Sequence, residues 1–182
     1  MRLTKCKICR TPYAKKNIMH KVCSAECSLE LVAREKEQKA RKQHLADKIR
    51  LRSRREWLKL AQTAFNAYVR TRDELQPCIS CGRHHTGQYH AGHYLSTGAR
   101  PELRFDESNN HKQCSACNNY LSGNIALYRK NLIIKIGLEE VERLEGDHTP
   151  RKYSIEELQE IKTKYTAKLK EMKSEALHTD KC

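Results

Sequence analysis

The chain has 182 residues, 38% of them hydrophobic and 32% charged, so one large hydrophobic core is not expected. Small modules held together by metal ions fit this composition better. The formal net charge of +14 predicts a polyanionic partner, with nucleic acid as the first candidate and a membrane surface as its main competitor. No apolar stretch approaches the ~20 residues of a membrane span, and the N-terminus lacks the apolar segment of a signal peptide. We therefore expect a cytoplasmic protein with no membrane partner.

Nine cysteines fall into two groups of four, with one left over near the end of the chain. Each group contains Cys-x-x-Cys spacing, which supplies the thiolates for a tetrahedral zinc ion. Without a signal peptide, this spacing favours two structural Zn²⁺ ions in a reducing cytosol over a disulfide framework. The first group is Cys6, Cys9, Cys23 and Cys27; the second is Cys78, Cys81, Cys114 and Cys117; the remaining cysteine is Cys182.

Residues 1–30 are predicted to form an N-terminal zinc finger. Its second cysteine pair should open a helix, because Ser24 and Glu26 suit a first helical turn. The sequence leaves the role of the finger open: it is compatible with binding DNA, contacting another protein, or capping the helix that follows.

Residues 31–76 are predicted to form a basic helical segment that ends in an amphipathic helix. Residues 28–49 favour a helix but show little apolar periodicity, and residues 34–55 hold ten Lys or Arg against three acids. This excess predicts an arm that follows DNA phosphates, and a solvated linker helix is the alternative. The predicted DNA contacts in this segment are Arg50, Arg52, Arg54 and Arg55.

An amphipathic helix is predicted from Trp57 towards Pro77, the residue that should stop it. Its apolar residues recur at helical spacing, so Trp57 is expected in a core rather than stacked on a base. The stripe consists of Trp57, Leu58, Ala61, Phe65, Tyr68 and Val69.

Residues 77–124 hold three polar residues between and after the second group of cysteines: His93, Asn109 and Asn118. Their order resembles the HNH nuclease motif on a zinc-clamped ββα-metal scaffold. The resemblance implies that His93 is a general base, that Asn109 orients it, and that Asn118 at a helix start binds a catalytic Mg²⁺ or Mn²⁺. The two strands are expected at Gln88–Leu95 and Leu103–Asp106.

One position departs from the HNH pattern. Many members of that type place a metal ligand immediately before the base, where this chain has Gly92. His90 is the nearest replacement, with Gly92 allowing a bulge that turns it inward. Asp106 and His111 stay open as alternatives for the second ligand.

Four segments narrow the resemblance further. They are His-Ala-Gly-His-Tyr at 90–94, Pro-Glu-Leu-Arg-Phe at 101–105, Asn-Asn-His-Lys-Gln-Cys-Ser-Ala-Cys-Asn at 109–118, and Ser-Gly-Asn at 122–124. Together they resemble the phage NinG (Rap) recombination endonucleases. The resemblance implies cutting of branched double-stranded DNA, such as Holliday junctions and D-loops, in the host cell cytoplasm. Arg100 and Arg104 are expected to contact the phosphates of this DNA.

Residues 125–182 are predicted to form a C-terminal helical region. Helices are expected at 125–136, ended by Gly137, and at 138–144. Ser154 and Glu157 suit a capping box that opens a last helix. Its apolar seam packs either within the chain or against a second subunit. Because a junction has two strands to cut, a homodimer is expected.

The sequence thus predicts a mainly α protein with a small zinc-bound ββα (HNH-like) module, an N-terminal zinc finger, a long basic helix and C-terminal helices. The favoured function is metal-dependent phosphodiester hydrolysis on branched DNA. A non-catalytic zinc-finger DNA-binding or recombination-adaptor protein is the alternative. An RNA-binding zinc protein also fits the charge but leaves His93, Asn109 and Asn118 unexplained.

Overall fold

The computed structural model describes residues 3–179, with side chains described through residue 175. Two compact units make up the chain, Met1–Arg52 and Ser53–Cys182. The described residues form five α-helices and two small two-stranded sheets, which confirms the mainly α class. The boundary between the units lies inside the predicted segment 31–76, and the four-part division of the sequence stays a prediction.

The first unit consists of a short hairpin and one long helix. Strand β1 (Leu3–Lys5) pairs antiparallel with β2 (Pro12–Ala14), and helix α1 runs over Ala25–Arg50. The Ser24 hydroxyl accepts the Cys27 N–H and caps the helix, so the predicted helix opening at the second cysteine pair is confirmed. No residue of α1 is buried, as expected for a polar helix without an apolar face.

The second unit is built on α2 (Arg54–Arg72), which begins with a capping box between Ser53 and Glu56. Its buried side chains pack against the last helix, α5 (Ile155–Thr179), in one core. The core placement of Trp57 is therefore confirmed, and the seam of α5 packs within the chain. The buried core residues are Trp57, Ala61, Phe65, Tyr68, Val69, Phe105, Tyr153, Leu158 and Tyr165.

The helix α2 ends at Arg72, five residues before the predicted stop at Pro77. Asp73 is 3% exposed and holds this end of the helix in place. Its carboxylate accepts the Lys112 backbone N–H at 3.0 Å and pairs with Arg72 and Lys135 at 2.9 and 3.1 Å. Burial opposes ionisation, but these partners lower the pKa of Asp73 to about 2. A buried carboxylate thus ties α2 to the neighbouring sheet and helix.

The predicted second strand was wrong. Strand β3 is Tyr89–His93, close to the expected first strand, but its partner β4 is Asn110–Cys114. The segment Leu103–Asp106 instead follows a 3₁₀ turn at Pro101–Leu103, with further i→i+3 bonds up to Asp106. Pro101 at the start of this turn has no N–H to donate to a neighbouring strand. Leu103 and Phe105 are buried in separate cores.

The predicted bulge at Gly92 was also wrong. The described register is regular, with each β3 residue opposite one β4 residue from Tyr89–Cys114 to His93–Asn110. Gly92 serves close packing: a β-carbon on it would lie 2.1 Å from Gln113 Oε1 and 2.9 Å from Gln113 Cβ. The fully buried Gln113 side chain therefore occupies the space that a side chain at 92 would need.

Gly92→Ala is expected to destabilise the second unit by about 1–3 kcal/mol, because the added methyl group overlaps a buried side chain that has no room to move. Denaturant unfolding followed by circular dichroism measures this change. Gly87→Ala is the matched control, since its β-carbon would meet nothing within 4 Å. Equal stability of the two variants would contradict the close contact.

The C-terminal helices begin and end close to the positions predicted from the sequence. Helix α3 spans Ile125–Ile136 and ends at Gly137, whose φ of +87° favours glycine. Helix α4 spans Leu138–Glu145, and the predicted capping box at Ser154 is formed. Among the helices described, none combines the length and apolar character required to cross a bilayer.

Candidate functional site

The second cysteine group forms one compact cluster at the base of the β3–β4 hairpin. The Sγ atoms of Cys78, Cys81, Cys114 and Cys117 lie within 4.8 Å of one another. Four thiolates around zinc at about 2.3 Å are separated by similar distances, so this donor set fits a closed tetrahedral site. Three of the four cysteines are buried, which suits a structural ion.

The first group forms a second cluster with the same local geometry. In each, the residue after the second cysteine has a positive φ, 62° at Arg10 and 68° at Gly82. Its N–H bonds the carbonyl of the first cysteine, at 3.1 Å to Cys6 and 2.8 Å to Cys78. Two equivalent knuckles thus occur in separate units, and each cluster can hold one zinc ion.

Backbone N–H groups prepare the Cys78 thiol for metal binding. Burial opposes ionisation, yet the N–H groups of Cys81, Cys114 and Ser80 bring the pKa of Cys78 below its usual value. His85 Nε2 lies 3.2 Å from the Sγ atom of Cys81. An N–H donor at this position stabilises a thiolate and orients it towards the ion.

His93 lies at the end of β3 with one ring nitrogen engaged. Its Nε2 is 3.1 Å from the carbonyl oxygen of Arg104. Since a carbonyl oxygen only accepts, Nε2 carries the proton and Nδ1 keeps its lone pair. Burial lowers the pKa of His93, so the ring is neutral near pH 7 and Nδ1 is able to accept a proton.

Asn109 is fully buried and bonds the chain around His93 rather than its ring. Its Oδ1 accepts the Leu95 N–H at 2.8 Å, and its Nδ2 donates to the carbonyls of Leu95 and Leu103 at 3.0 and 3.2 Å. These bonds hold the loop between Leu95 and Leu103 closed. The next residue, Arg104, contacts the imidazole of His93 through its carbonyl oxygen. Any orienting effect of Asn109 on His93 therefore acts through the loop.

Asn118 and His93 line the same surface cleft, together with Ser96, Thr97 and Ser122, and we call it the His93–Asn118 cleft. Its volume is about 480 Å³. Asn118 lies in a single π-helical turn, Ala116–Tyr120, which follows β4 directly. The structure thus brings the predicted base and one predicted metal ligand together.

The three candidates for a second ligand lie elsewhere. His90 Nε2 is 2.9 Å from Ser115 Oγ. Asp106 accepts the Ser108 N–H and pairs with Arg143 at 2.8 Å. His111 is buried, and burial, reinforced by nearby cations, lowers its pKa to about 3. None of the three is among the described residues that line the cleft.

Sequence reasoning missed Ser122 as a site residue. It lies four positions after Asn118 and is one of the residues that line the cleft. Its φ of +48° and the +87° of Gly123 turn the chain back after the π-helical turn. The Ser-Gly-Asn motif was the available signal, but it indicates a helix end rather than a ligand.

The predicted DNA-contacting arginines have different surroundings. Arg55 is exposed, and Arg50 is exposed and pairs with Asp47. Three others bond within the second unit: Arg54 to the carbonyl of Tyr153, Arg100 to the carbonyls of Glu145 and Gly146, and Arg104 to the side chain of Gln62. Arg52 is partly buried.

The chain is 48% identical to "Protein ninG" of Escherichia phage 933W over 127 residues, which cover 70% of this chain and 63% of that protein. "Protein ninG" of Escherichia phage lambda is 47% identical over 70% of this chain and 62% of that protein. "Protein ninG" of Salmonella phage P22 is 48% identical over 69% of this chain and 62% of that protein. The matched segment therefore spans less than two thirds of these relatives.

No solved structure matches the chain. The family described as "Bacteriophage Lambda NinG protein" matches residues 1–175, which include both cysteine clusters and the His93–Asn118 cleft. On this match across nearly the whole sequence, the chain belongs to the NinG family of phage proteins.

Proposed function

We propose that the chain is an HNH-type, metal-dependent endonuclease that cuts branched double-stranded DNA. The observation that carries the proposal is the shared cleft of His93 and Asn118, with Nδ1 of the imidazole available as a base. The order of hairpin and short helical turn, with a zinc-binding cluster at their junction, supports an HNH-like ββα arrangement.

The proposed reaction is hydrolysis of one phosphodiester bond. Nδ1 of His93 takes a proton from water, and the water oxygen forms a bond to phosphorus. The bond from phosphorus to the 3′-oxygen breaks, and that oxygen leaves with the bonding electrons and is then protonated by solvent. Asn109 positions the base indirectly by closing the loop that presents the Arg104 carbonyl.

The cleft residues fit a hydrated hard cation. Asn118 and Ser122 offer side-chain oxygens, the ligand type that Mg²⁺ and Mn²⁺ accept. Six waters at about 30 Å³ each occupy less than the cleft volume of about 480 Å³. When bound there, the ion neutralises charge that develops on the phosphate. With few protein ligands, most of its coordination must come from water and from DNA phosphate.

The charge pattern supports DNA as the substrate. The +14 net charge and the exposed cations of α1 favour phosphate binding without sequence preference. Branched DNA is the substrate class that the NinG resemblance implies, and a homodimer would place one site on each of two strands.

Asn118→Ala is expected to raise the Mg²⁺ concentration for half-maximal cleavage by about tenfold or more, because it removes a ligand from a site with few of them. The assay compares a four-way junction with a linear duplex of equal length, with Mg²⁺ added and withheld. Tyr120→Ala is the control, since Tyr120 lies in the same turn, is 83% exposed and is not among the described lining residues. Absence of Mg²⁺-dependent cutting by the parental protein would contradict the proposal.

The second candidate function is a non-catalytic DNA-binding adaptor. It is favoured by Gly92, which puts no ligand before His93, and by the position of His90 beside Ser115, outside the described cleft lining. Junction binding without cleavage under any divalent ion would favour this reading.

A further inference from the structure

The loop between β2 and the second cysteine pair of the N-terminal cluster ends in an apolar tip. Ile18 and Met19 are 88% and 81% exposed. They are the central residues of a turn closed by a 3.2 Å bond from the His20 N–H to the Asn17 carbonyl. Gly, Pro, Asn, Asp and Ser dominate such positions, so two large apolar side chains indicate a role in contact rather than in turning the chain.

Contacts of Tyr13 and Lys16 with His20 hold the tip in place. The Tyr13 hydroxyl donates to the His20 carbonyl, and the Lys16 N–H donates to His20 Nδ1 at 3.2 Å. The rings of Tyr13 and His20 pack edge to face with centroids 5.0 Å apart. A tip fixed in this way loses little conformational entropy when it binds a partner.

All charged residues in the segment that carries the tip are cationic. Residues 3–24 contain six Lys or Arg and no Asp or Glu. Lys15, Lys16 and Lys21 flank the tip and are exposed. Two apolar side chains flanked by cations suit binding to DNA. Some DNA-binding proteins insert Ile or Met between base pairs while their basic side chains bind the adjacent phosphates. Two side chains offer little area for insertion into a bilayer, where binding scales with buried apolar area.

We propose that Ile18 and Met19 pack against an unstacked base step, the kind exposed at a DNA branch point, while Lys15, Lys16 and Lys21 bind the flanking phosphates. Only the choice of branched DNA rests on the function proposed above. The contact itself requires no cleavage. In this proposal, the first unit of the chain recognises DNA structure.

The test uses the full chain with the double substitution Ile18→Ser and Met19→Ser. Binding is measured to a four-way junction and to a linear duplex without added divalent ion, with 2-aminopurine at the branch point reporting unstacking. Junction affinity is expected to fall about tenfold, as for the loss of one base contact. Duplex affinity and the salt dependence should not change, because no charge is removed.

Matched variants separate the tip from its surroundings. Leu29→Ser with Leu51→Ser removes two equally apolar residues of the same unit, each 74% exposed, and should leave junction affinity unchanged. Combined Lys15→Ala, Lys16→Ala and Lys21→Ala should weaken binding to both DNAs and reduce the salt slope by about 0.9 per lost phosphate contact.

Three results would overturn the proposal: parental junction affinity in the double variant, an equal loss on linear duplex, or tip-dependent binding to phosphatidylserine vesicles instead of DNA. The zinc content of each variant shows whether the N-terminal unit is folded. If the double variant loses zinc, junction binding by Met19→Gln, which changes the shape of the side chain less, tests the proposal instead. An inactive parental protein with tip-dependent junction binding would refute the nuclease and leave the tip contact standing.

Discussion

His93→Ala is expected to slow metal-dependent cleavage of a four-way junction by about 10²- to 10⁴-fold, the usual contribution of a general base. In the proposed reaction the Nδ1 atom of His93 accepts the proton, because Nε2 is bonded to the Arg104 carbonyl, and alanine leaves no acceptor at that position. Zinc content and junction affinity should stay near the parental values, because the side chain lies at the end of β3, outside both cysteine clusters. Single-turnover cleavage and gel-shift titration measure the two effects separately.

His84→Ala is the control for this variant, since His84 is an exposed loop histidine and its loss should not change the rate. The pH profile adds an independent readout. Because the pKa of His93 is lowered by burial, the neutral base persists below pH 6.5, and parental activity should fall only at more acidic pH. If junction binding disappears together with activity, His93 is a structural residue.

Cys114→Ser is expected to release one of two zinc ions per chain and to unfold the second unit. Structural zinc contributes about 10–16 kcal/mol of apparent binding free energy in small domains, comparable to the whole stability of a domain. Trp57 is the one tryptophan of the sequence and is buried in the core of that unit. Its fluorescence should therefore shift to the red, and the helical circular dichroism signal should fall.

Cys6→Ser is the matched control, because Cys6 is the buried cysteine of the other cluster. It should also release one zinc ion but leave Trp57 fluorescence unchanged, since the two clusters lie in separate units. Cys182→Ser should keep both ions; this residue lies outside those that the structure describes. Retention of two zinc ions by Cys114→Ser would show that the second cluster does not bind metal.

Local sequence signals predicted the helices and cysteine clusters well. Caps such as Ser24, Ser154 and Gly137 bond only within a few residues, so their sequence context determines them. The knuckle spacing likewise restricts each cysteine pair to one turn. These features explain why α1, α3 and α5 begin or end close to the predicted positions.

The hairpin could not be predicted in the same way, because its partners are chosen by distant contacts. Nothing local marks β4, which is buried throughout and bonds Asp73 through the N–H of Lys112. The loop before it carries a Pro-Glu-Leu-Arg-Phe run with apolar alternation, which is typical of a strand. Leu103 and Phe105 instead enter two different cores.

The position of Cys114 at the last residue of β4 has a consequence for folding fidelity. A two-stranded ribbon is marginal in water, and slipping it by one position exchanges its two faces. Such a slip would bring Gln113 or Ser115 to the cysteine cluster, where neither supplies a thiolate. A zinc ion held by all four cysteines would therefore favour the observed register, together with the bond from the Lys112 N–H to Asp73.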